Sequence, residues 1–514
     1  MYLQKEVLKC RLEMCINVLR LFDWLLDLYV LDFFVDNHWE KLPTTWRAIL
    51  ENMDPQQLGE ILSNKQICHV LPLSLLALIK SVEVLSIPRD REVIENKENV
   101  NVITNFDTCK NHPKLKNLFL KHVKLKKRHE ISLMADVVVD TAMKSGCTSV
   151  IDFGSGLGHL VRMLAYRDNL YVAGIECQTQ LTEEARKLDL ELEYTVKKHL
   201  SNEANLKLHR PIHFNITLSS HHQLLDLPLP ATMKNYGLIG LHPCGDLGPL
   251  LLKHFVQSEH VKFICVVGCC YMKLTCNGED RGYPMSEFVK SLDGKLSFVS
   301  REIACHAIEV YCERLRKGNY EDLKVHAYRA AFERILVEHD PRLRHAGVRS
   351  IKNSDTCRCP RPPRRPLPPR RPLPRPPPLP PRRPLPPRLP LPRPPPLPPR
   401  RPLPPRLPLP RPPPLPPPPP TSPASPTSPA SSAAPPPPTC PASPAQRARG
   451  RADLLRWRQV VIVYTLRLAL APLVETVVLL DRMLYVMEQG FSCEIHPVFD
   501  PKLSPRNHII IARR

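Results

Sequence analysis

Hydrophobic and polar positions follow two different periods along this chain of 514 residues, and the period changes near residue 115. Before that point the apolar residues recur at the three-to-four spacing of an amphipathic helix, as in Leu8, Leu12, Cys15 and Leu19. The pattern predicts one helix over residues 3–35, followed by several shorter helices. Residues 1–115 are therefore predicted to form a helical N-terminal region.

Beyond residue 116, short apolar runs alternate with helical patterns. Such alternation favours a mostly parallel sheet with helices on both faces, an α/β fold. The predicted strands are Ser149–Phe153, Tyr171–Glu176, His213–Leu218, Gly237–Leu241, Phe263–Gly268, Ser492–Phe499 and His508–Ala512.

A proline-rich tract separates the fifth predicted strand from the sixth and holds most of the 61 prolines. Such a composition lacks the apolar bulk for a core, so residues 358–450 are predicted to be a disordered insertion. Residues 116–357 then form the first part of the α/β core, and residues 451–514 complete its sheet. Arg-flanked PxxP motifs favour binding to SH3 or WW domains. The unchanged repeat of Arg382–Pro399 at Arg400–Pro417 favours the alternative, a recent expansion without a function.

Charge and cysteine content change this picture little. The net charge is +22, but residues 358–451 carry 18 arginines and no acid, so the remainder is only slightly basic. The 17 cysteines are scattered, which is typical of a reducing interior, and we expect a cytoplasmic or nuclear location. The most apolar stretch, Val460–Leu480, contains Arg467, Pro472 and Glu475, so a membrane-spanning helix is not expected.

The segment VIDFGSGLGHL, residues 150–160, combines an apolar strand, three glycines and a helix start. Gly154, Gly156 and Gly158 permit a tight turn and a close approach to a ligand, with Ser155 between the first two. A dinucleotide-binding loop would place its third glycine one residue later. Asp152 would also repel a pyrophosphate, whereas it suits a cationic ligand. The loop therefore favours a cationic cofactor without phosphate.

Glu176 ends the second predicted strand, where a carboxylate can accept both hydroxyls of a ribose. Asp152, the glycine loop and Glu176 together predict an S-adenosylmethionine site. The alternative is a structural glycine turn, which would have to explain all three features by chance.

VIDFGSGLGHL and the strand-end glutamate resemble the Rossmann-like class I methyltransferases. HWEKLPTTWRAIL, KKRHEISLMA, GLHPCGDL, GCCYMKL and LAPLVETVVLLDR with SPRN together resemble the methyltransferase-like 25/25B family, some of whose members are named "ribosomal RNA adenine dimethylase domain-containing". The resemblance implies a seven-stranded sheet with an antiparallel last strand and S-adenosylmethionine as methyl donor. It also gives His129 and Glu130, in the KKRHEISLMA block, a role at the cofactor site. The proline tract departs from the family pattern.

The fourth predicted strand ends in LHPCGDL, residues 241–247, where substrate-facing groups are expected. It lacks the Asn or Asp before Pro243, and the aromatic residue after it, that are typical of adenine-N6 methylation. His242 is a candidate general base, and Asp246 a second catalytic candidate. The alternative is a turn histidine followed by an aspartate that caps the next helix.

Two further interpretations concern cysteine and tyrosine. Cys244 or Cys270 is a candidate nucleophile towards a pyrimidine ring, although small buried cysteines are also ordinary packing residues. No metal site is expected, because Cys265, Cys269, Cys270 and Cys276 lack paired C-x2-C spacing. Tyr271 is either a stacking platform for a base or a core tyrosine.

The sequence thus predicts an S-adenosylmethionine-dependent methyltransferase, with RNA as the expected acceptor. The basic run Lys121–Arg128 is suited to phosphate contacts, although solvated charge on a helix flank is the alternative. A catalytically idle scaffold that recruits partners through the proline-rich segment is the competing hypothesis. The intact Asp152, glycine loop and Glu176 favour the enzyme.

Overall fold

The computed structural model describes residues 2–63, 69–90, 123–199, 209–217, 227–278, 281–318, 320–347 and 443–514. The chain divides into two compact units, one of Met1–His345 with Cys440–Arg514 and the other of Ala346–Thr439. Nearly all of the second unit lies outside the described residues, and so do the proline-rich tract up to residue 442 and the predicted boundary at residue 115. All described helices and strands belong to the first unit.

The described residues contain a seven-stranded sheet with the order β3-β2-β1-β4-β5-β7-β6. Strands β1 to β5 run parallel, whereas β7 is antiparallel to both β5 and β6. This arrangement confirms the predicted class I methyltransferase sheet with its reversed last strand. The strands are β1 Ser149–Phe153, β2 Tyr171–Glu176, β3 Ile212–Asn215, β4 Tyr236–Leu241, β5 Val261–Val267, β6 Ser492–Pro497 and β7 His508–Arg513.

Helices precede, connect and follow the strands. Those before the sheet are α1 Tyr2–Leu21, α2 Asp23–Leu26, α3 His38–Lys41, α4 Thr44–Leu50, α5 Pro55–Ser63, α6 Leu73–Leu85 and α7 Leu125–Lys144. Those between β1 and β6 are α8 His159–Tyr166, α9 Thr179–His199, α10 Leu247–Gln257, α11 Glu287–Ser291, α12 Phe298–Ile303, α13 Ile308–Arg316, α14 Tyr320–His339, α15 Pro444–Leu455, α16 Trp457–Ala469 and α17 Ala471–Glu488.

The single helix predicted over residues 3–35 is wrong beyond Leu21, where α1 ends. Asp27 and Asp32 interrupt the apolar period there, and both carboxylates turn to partners far along the chain. Asp27 accepts hydrogen bonds from the hydroxyls of Ser297 and Ser300, and Asp32 pairs with Arg344. The charged positions that interrupt the apolar period are thus held by contacts with distant parts of the chain.

Successive side chains of a strand point to opposite faces of the sheet, so alternate residues of each strand lie in two separate hydrophobic cores. Val150, Ile239 and Phe263 face the core that also contains apolar residues of α7 and α8. Their neighbours Ile151 and Leu238 face the opposite core, which continues into α10, α16, α17 and the N-terminal helices. Both faces of the sheet are therefore covered, and its edge at the carboxyl ends of the parallel strands is left for the loops that carry the candidate site.

The segment from Trp457 to Glu488, which comprises α16 and α17, is the one helical stretch of the described residues that is long and apolar enough to cross a membrane. However, 89% of its most apolar window is buried inside the protein. The charged residues Arg467, Glu475 and Asp481 are buried along it. A core helix passes the same test of length and composition, so the stretch is only weak support for a membrane span.

Candidate active site

The glycine loop between β1 and α8 is built from backbone conformations that other residues rarely adopt. Gly154, Gly156 and Gly158 have φ angles of +74°, +56° and +68°, in the left-handed region where a Cβ is unfavourable. A Cβ on Gly156 would meet no atom within 4 Å. The loop therefore presents an open face of backbone at its centre, as a site for a closely approaching ligand requires.

The first part of this loop is attached to β2. The carbonyl oxygen of Ile175 accepts hydrogen bonds from the backbone N–H groups of Gly154 and Ser155, at 2.9 and 3.1 Å. The Ser155 hydroxyl occupies the space over Gly174, where a Cβ would lie 2.8 Å from its oxygen. Ser155, predicted to bind the cofactor, thus directs its side chain at β2, and only its backbone belongs to the loop surface.

Glu176, at the end of β2, supports the loop from the other side. Its Oε2 accepts a hydrogen bond of 2.9 Å from the Gly156 N–H, and its Oε1 accepts one of 3.0 Å from the Gln178 N–H. Each carboxylate oxygen can accept more than one hydrogen bond, so a ribose hydroxyl can be added to these contacts. The residue predicted to hold the ribose therefore also shapes the glycine loop, a role that the sequence did not reveal.

Asp152 lies in β1 beneath the loop and is 3% exposed. Its Oδ1 is buried and has no hydrogen-bond partner among the described residues. Burial raises the pKa of Asp152 to about 8, with the charge of Lys127 opposing the shift and that of Glu176 adding to it. A cation placed here would stabilise the ionised form. The site thus favours a positively charged ligand and disfavours a pyrophosphate.

A buried group under the loop was missed by the sequence analysis. Arg162 Nε donates a hydrogen bond of 2.6 Å to Asp189, whose other oxygen lies 2.7 Å from His213 Nε2. Arg162 also donates to the carbonyl of Leu157 at 3.2 Å. A Cβ on Gly158 would lie 2.7 Å from the His213 ring. The only sequence signal was an arginine within the apolar helix HLVRMLAY.

At the end of β4, the half-buried His242 pairs with the buried Glu130. His242 has a φ of +65°, which is uncommon outside glycine and is found at functional sites. Its Nε2 lies 3.0 Å from Glu130 Oε1. Burial alone would raise the pKa of Glu130, but hydrogen bonds from His242 and Ser504 lower it to about 2. The carboxylate is thus ionised, and Nε2 of His242 is the donor to it.

The other nitrogen of His242, Nδ1, is shielded from solvent and has no hydrogen-bond partner among the described residues. Because Nε2 carries the proton that Glu130 accepts, Nδ1 of a neutral imidazole has its lone pair available. An unprotonated nitrogen is one requirement of a general base, and access to the acceptor atom is the other, which here needs the groups that shield Nδ1 to move.

The loop between β6 and β7 completes this part of the site. Ser504 Oγ donates a hydrogen bond of 2.6 Å to Glu130 Oε1, and the Asp500 N–H donates to His129 Nε2 at 2.9 Å. The cofactor role of His129 and Glu130 stays a prediction, and their contacts give each residue a second function. His129 holds the β6–β7 loop, and Glu130 orients His242. Ser504 carried no chemical signal of its own in the sequence.

Asp246 occupies the N-cap position of α10, but its side chain makes no capping hydrogen bond. The capping interpretation is therefore wrong. Instead, Oδ1 accepts a hydrogen bond of 2.9 Å from the Thr275 N–H. Asp246 thus joins the loop after β4 to the loop after β5, and its expected effect on catalysis is to position these loops.

Tyr271, the candidate stacking platform, is 1% exposed. Its hydroxyl donates a hydrogen bond of 2.9 Å to Glu475 in α17, and the guanidinium of Arg482 lies 5.8 Å from its ring centroid. A fully buried ring cannot stack on a substrate. Tyr271 is a core residue, which is the alternative that the sequence left open.

Three cysteines meet beside His242. Cys244 follows β4, and Cys269 and Cys270 follow β5. The Sγ atoms of Cys244 and Cys270 are 3.4 Å apart, those of Cys269 and Cys270 are 3.5 Å apart, and those of Cys244 and Cys269 are 4.0 Å apart. The hydrogen bond between the Cys244 and Cys269 thiols lowers the pKa of Cys244 to about 5, and the charge of Lys273 adds to this effect. Cys244 is also the exposed thiol of the three.

Comparison with known proteins identifies the region around this site. Residues 126–277 match a family model described as a methyltransferase domain. The chain is 31% identical over 112 residues to the Mus musculus protein named "Probable methyltransferase-like protein 25", and 32% identical over 108 residues to the Homo sapiens protein of that name. These matches confirm the predicted resemblance to the methyltransferase-like 25 family. They span 20% and 19% of this chain, and only 18% and 17% of the lengths of the two relatives.

Solved structures overlap only weakly with the whole chain. Magnesium protoporphyrin IX methyltransferase from Synechocystis PCC 6803 with bound SAH has a TM-score of 0.20 at 14% identity, over 30% of this chain and 64% of that one. The plantazolicin methyltransferase BamL with SAH has a TM-score of 0.19 at 14% identity, over 41% of this chain and 66% of that one. At such scores the overlap supports no inference. Both the match to a methyltransferase domain and the geometry of the glycine loop indicate S-adenosylmethionine as the cofactor.

Proposed function

We propose that this protein is an S-adenosylmethionine-dependent methyltransferase that acts on RNA. The observation that carries the methyltransferase assignment is the cradle made by Asp152, the glycine loop and Glu176. Two buried carboxylates flank an open glycine backbone, and this combination suits a cationic nucleoside much better than a dinucleotide with its phosphates. The match of residues 126–277 to a methyltransferase domain supports the same assignment.

In this proposal the chain's own residues divide the work between cofactor and acceptor. Glu176 accepts the ribose hydroxyls, and Asp152 in its ionised form offsets the positive charge of the cofactor. When bound, S-adenosylmethionine supplies an electrophilic methyl group. The acceptor atom loses a proton as it gains the methyl group, and His242 Nδ1 takes up that proton. Glu130 holds the imidazole through Nε2, so that Nδ1 is kept as the acceptor.

Exposed cations beside the site support RNA as the acceptor. Lys124, Lys126 and Lys127 are exposed at the start of α7. Lys126 Nζ lies 3.6 Å from Glu130 Oε1, and the charge of Lys127 acts on Asp152. These amines are therefore close to both halves of the site, where they can contact phosphates of a bound strand. The proposal does not extend to adenine N6, because LHPCG lacks the polar and aromatic residues for it.

A labelling experiment tests the function. The purified full-length protein is incubated with tritiated S-adenosylmethionine and separate fractions of cellular RNA and cellular protein. We expect label in RNA. Label in the protein fraction alone would refute the acceptor class, and cofactor binding without labelling of any fraction would support the scaffold hypothesis instead.

The proposed general base is tested with His242→Ala, for which we expect turnover to fall about 100-fold or more while affinity for the cofactor is retained. His260→Ala is the matched control, because His260 is an exposed residue beside the amino end of β5, the end away from the loops of the site. Equal turnover in the two variants would contradict the assigned role. A covalent adduct of Cys244 with a 5-fluoropyrimidine RNA would replace it with nucleophilic catalysis.

Phosphate contacts are tested separately by RNA binding without cofactor. Lys124→Glu and Lys127→Glu should each weaken binding and lower the slope of log affinity against log salt by about one. Lys144→Glu, at the other end of the same helix, is the control and should have a much smaller effect. An unchanged salt slope in all three variants would count against the α7 lysines as the RNA contact.

A further inference from the structure

The three-cysteine cluster is not used by the proposed methyl transfer. Its thiols come from the carboxyl ends of β4 and β5, which are neighbours in the sheet with Leu241 opposite Val267. Because both parallel strands end at the same edge, Cys244 is brought to the Cys269-Cys270 pair although 25 and 26 positions separate them in the sequence. The expectation of no metal site left out Cys244 and grouped Cys269 and Cys270 with Cys265 and Cys276. Neither joins the cluster, and Cys265 is fully buried within β5.

The distances between the sulfurs match the face of a metal tetrahedron. Zinc–sulfur bonds of about 2.3 Å place the sulfurs of a regular tetrahedral site about 3.8 Å apart. The three separations here are 3.4, 3.5 and 4.0 Å. A point about 2.3 Å from all three sulfurs lies roughly 0.9 Å outside their plane, close to the ~0.8 Å of a regular tetrahedron. One ion can thus contact all three without movement of the backbone.

We propose that Cys244, Cys269 and Cys270 bind a zinc ion whose fourth coordination position is open. In the described part of the chain, no fourth His, Cys, Asp or Glu has a ligand atom within 4.8 Å of all three sulfurs. Nearby candidates have other partners, since His242 faces Glu130 and Asp246 accepts from Thr275. Cys244 is exposed, which gives the ion access from solvent. Three protein ligands with one open position is the arrangement of zinc sites that bind water or a substrate group.

The chemistry of binding is balanced within the site. Three zinc–sulfur bonds form, and the three thiol protons pass to solvent. A zinc ion with three thiolates has one net negative charge, and Lys273 lies close enough to act on Cys244. The three sulfurs lie after the ends of β4 and β5, so a group bound to the ion would be at the same edge of the sheet as His242. Zinc binding does not depend on methyl transfer, so the zinc site can be present even if the proposed function is wrong.

The metal content of the full-length protein, purified under reducing conditions without chelator, is the first test. We expect close to one zinc per chain by mass spectrometry of the metal. Replacement with cobalt should produce the thiolate-to-cobalt charge-transfer and intense d–d absorption of a tetrahedral sulfur-rich site. Absence of both zinc and the cobalt spectrum would overturn the proposal.

Variants locate the ion. Cys244→Ser, Cys269→Ser and Cys270→Ser should each weaken zinc binding by more than the roughly 10–100-fold typical of changes outside the ligand set. Cys276→Ser is the matched control, because its thiol is half-buried in the same loop region, lies outside the cluster and donates to the carbonyl of Leu274. An equal loss in Cys276→Ser would overturn the assignment.

A measurement on the wild type covers the case in which a variant does not fold. Zinc added to the reduced protein should protect the peptides of Cys244, Cys269 and Cys270 from alkylation and leave Cys276 and Cys10 reactive. Uniform alkylation in the presence of zinc would contradict the site. A disulfide between Cys244 and Cys270 in protein isolated with thiols blocked at lysis would also contradict it, since the cluster would then be a redox pair.

Discussion

Replacement of Asp152 by asparagine should make the cofactor-free protein more stable at neutral pH while it impairs cofactor binding. In the folded chain, burial raises the pKa of Asp152 from its ordinary value of 3.8 to about 8. The folded state therefore keeps the proton over a pH range in which the unfolded chain has lost it. Because the unfolded state binds fewer protons there, stability falls as pH rises from about 4 to about 8.

The magnitude follows from the size of the shift. Each pKa unit corresponds to about 1.4 kcal/mol, so the cost of burying this carboxyl group reaches roughly 4 kcal/mol at pH 7. An asparagine does not titrate, but its amide donors would lack partners at a cost of about 1–3 kcal/mol. Asp152→Asn should therefore raise the free energy of unfolding by about 1–3 kcal/mol at pH 7–8. Below about pH 4 the sign should reverse, because the carboxyl group is then protonated in both states and its cost disappears.

Cofactor binding should change in the opposite direction. S-adenosylmethionine is cationic and should bind the ionised form of Asp152, so the wild-type affinity should rise with pH up to about 8, by at most tenfold per unit. Asp152→Asn should bind at least tenfold more weakly at pH 8 and show little dependence on pH.

Urea unfolding at pH 5, 7 and 8, together with calorimetric titration of the cofactor, measures both effects. Asp481→Asn is the control. Asp481 is also fully buried, but it accepts hydrogen bonds from the Met285 N–H and from the N–H and hydroxyl of Ser286. Its replacement removes these contacts, and because burial raises the pKa of Asp481 to about 6, the loss of stability should be largest at pH 5 and smaller at pH 7 and 8. An Asp152→Asn variant that is destabilised equally at all three pH values, or that binds the cofactor as tightly as the wild type, would refute the reasoning.

Three further changes test other parts of the structure. Gly156→Asp should abolish cofactor binding and leave the fold intact. Gly146→Asp is the control, because Gly146 lies in the turn before β1 with a φ of +59° and equally open space; this variant should lose a similar free energy of unfolding but still bind the cofactor in calorimetry. Loss of binding in both variants would contradict the loop assignment. Glu176→Gln should weaken cofactor binding tens-fold, because an amide nitrogen, which donates, would replace one of two oxygens that each accept from a backbone N–H. An unchanged dissociation constant would count against the role of Glu176 in binding the cofactor. Deletion of residues 361–441, which ends before the helix-capping residue Ser443, should leave the melting temperature and cofactor affinity near wild type; a large fall in melting temperature would contradict the predicted insertion.

Predictions about local backbone were the most successful. Each of the seven predicted strands overlaps an observed one, and the predicted bounds of β1 and β2 are the observed ones. The glycine spacing indicated a left-handed loop, and all three glycines have positive φ. These features are encoded by neighbouring residues, since the side-chain period and the absence of a Cβ act over a few positions.

Predictions about side-chain partners were less reliable. Burial excludes the stacking role of Tyr271, and Asp246 binds the loop after β5 instead of capping α10. His129 and Glu130 were assigned from a resemblance, and the contacts give them other partners. A sequence states which side chains are available at a strand end, not which of several neighbours each will contact.

The sequence by itself determined the α/β class, the strand positions, the glycine loop and its two acidic neighbours, because each depends on residues close together along the chain. Only the tertiary structure decided how the acceptor side is built. Glu130 meets His242 across 112 positions and Ser504 across 374, and the cysteine cluster joins two strand ends. Such contacts depend on the order of strands in the sheet and on the packing of the β6–β7 loop against α7. No local sequence pattern encodes these contacts, because the free energy that stabilises them comes from the burial of apolar surface throughout the whole unit.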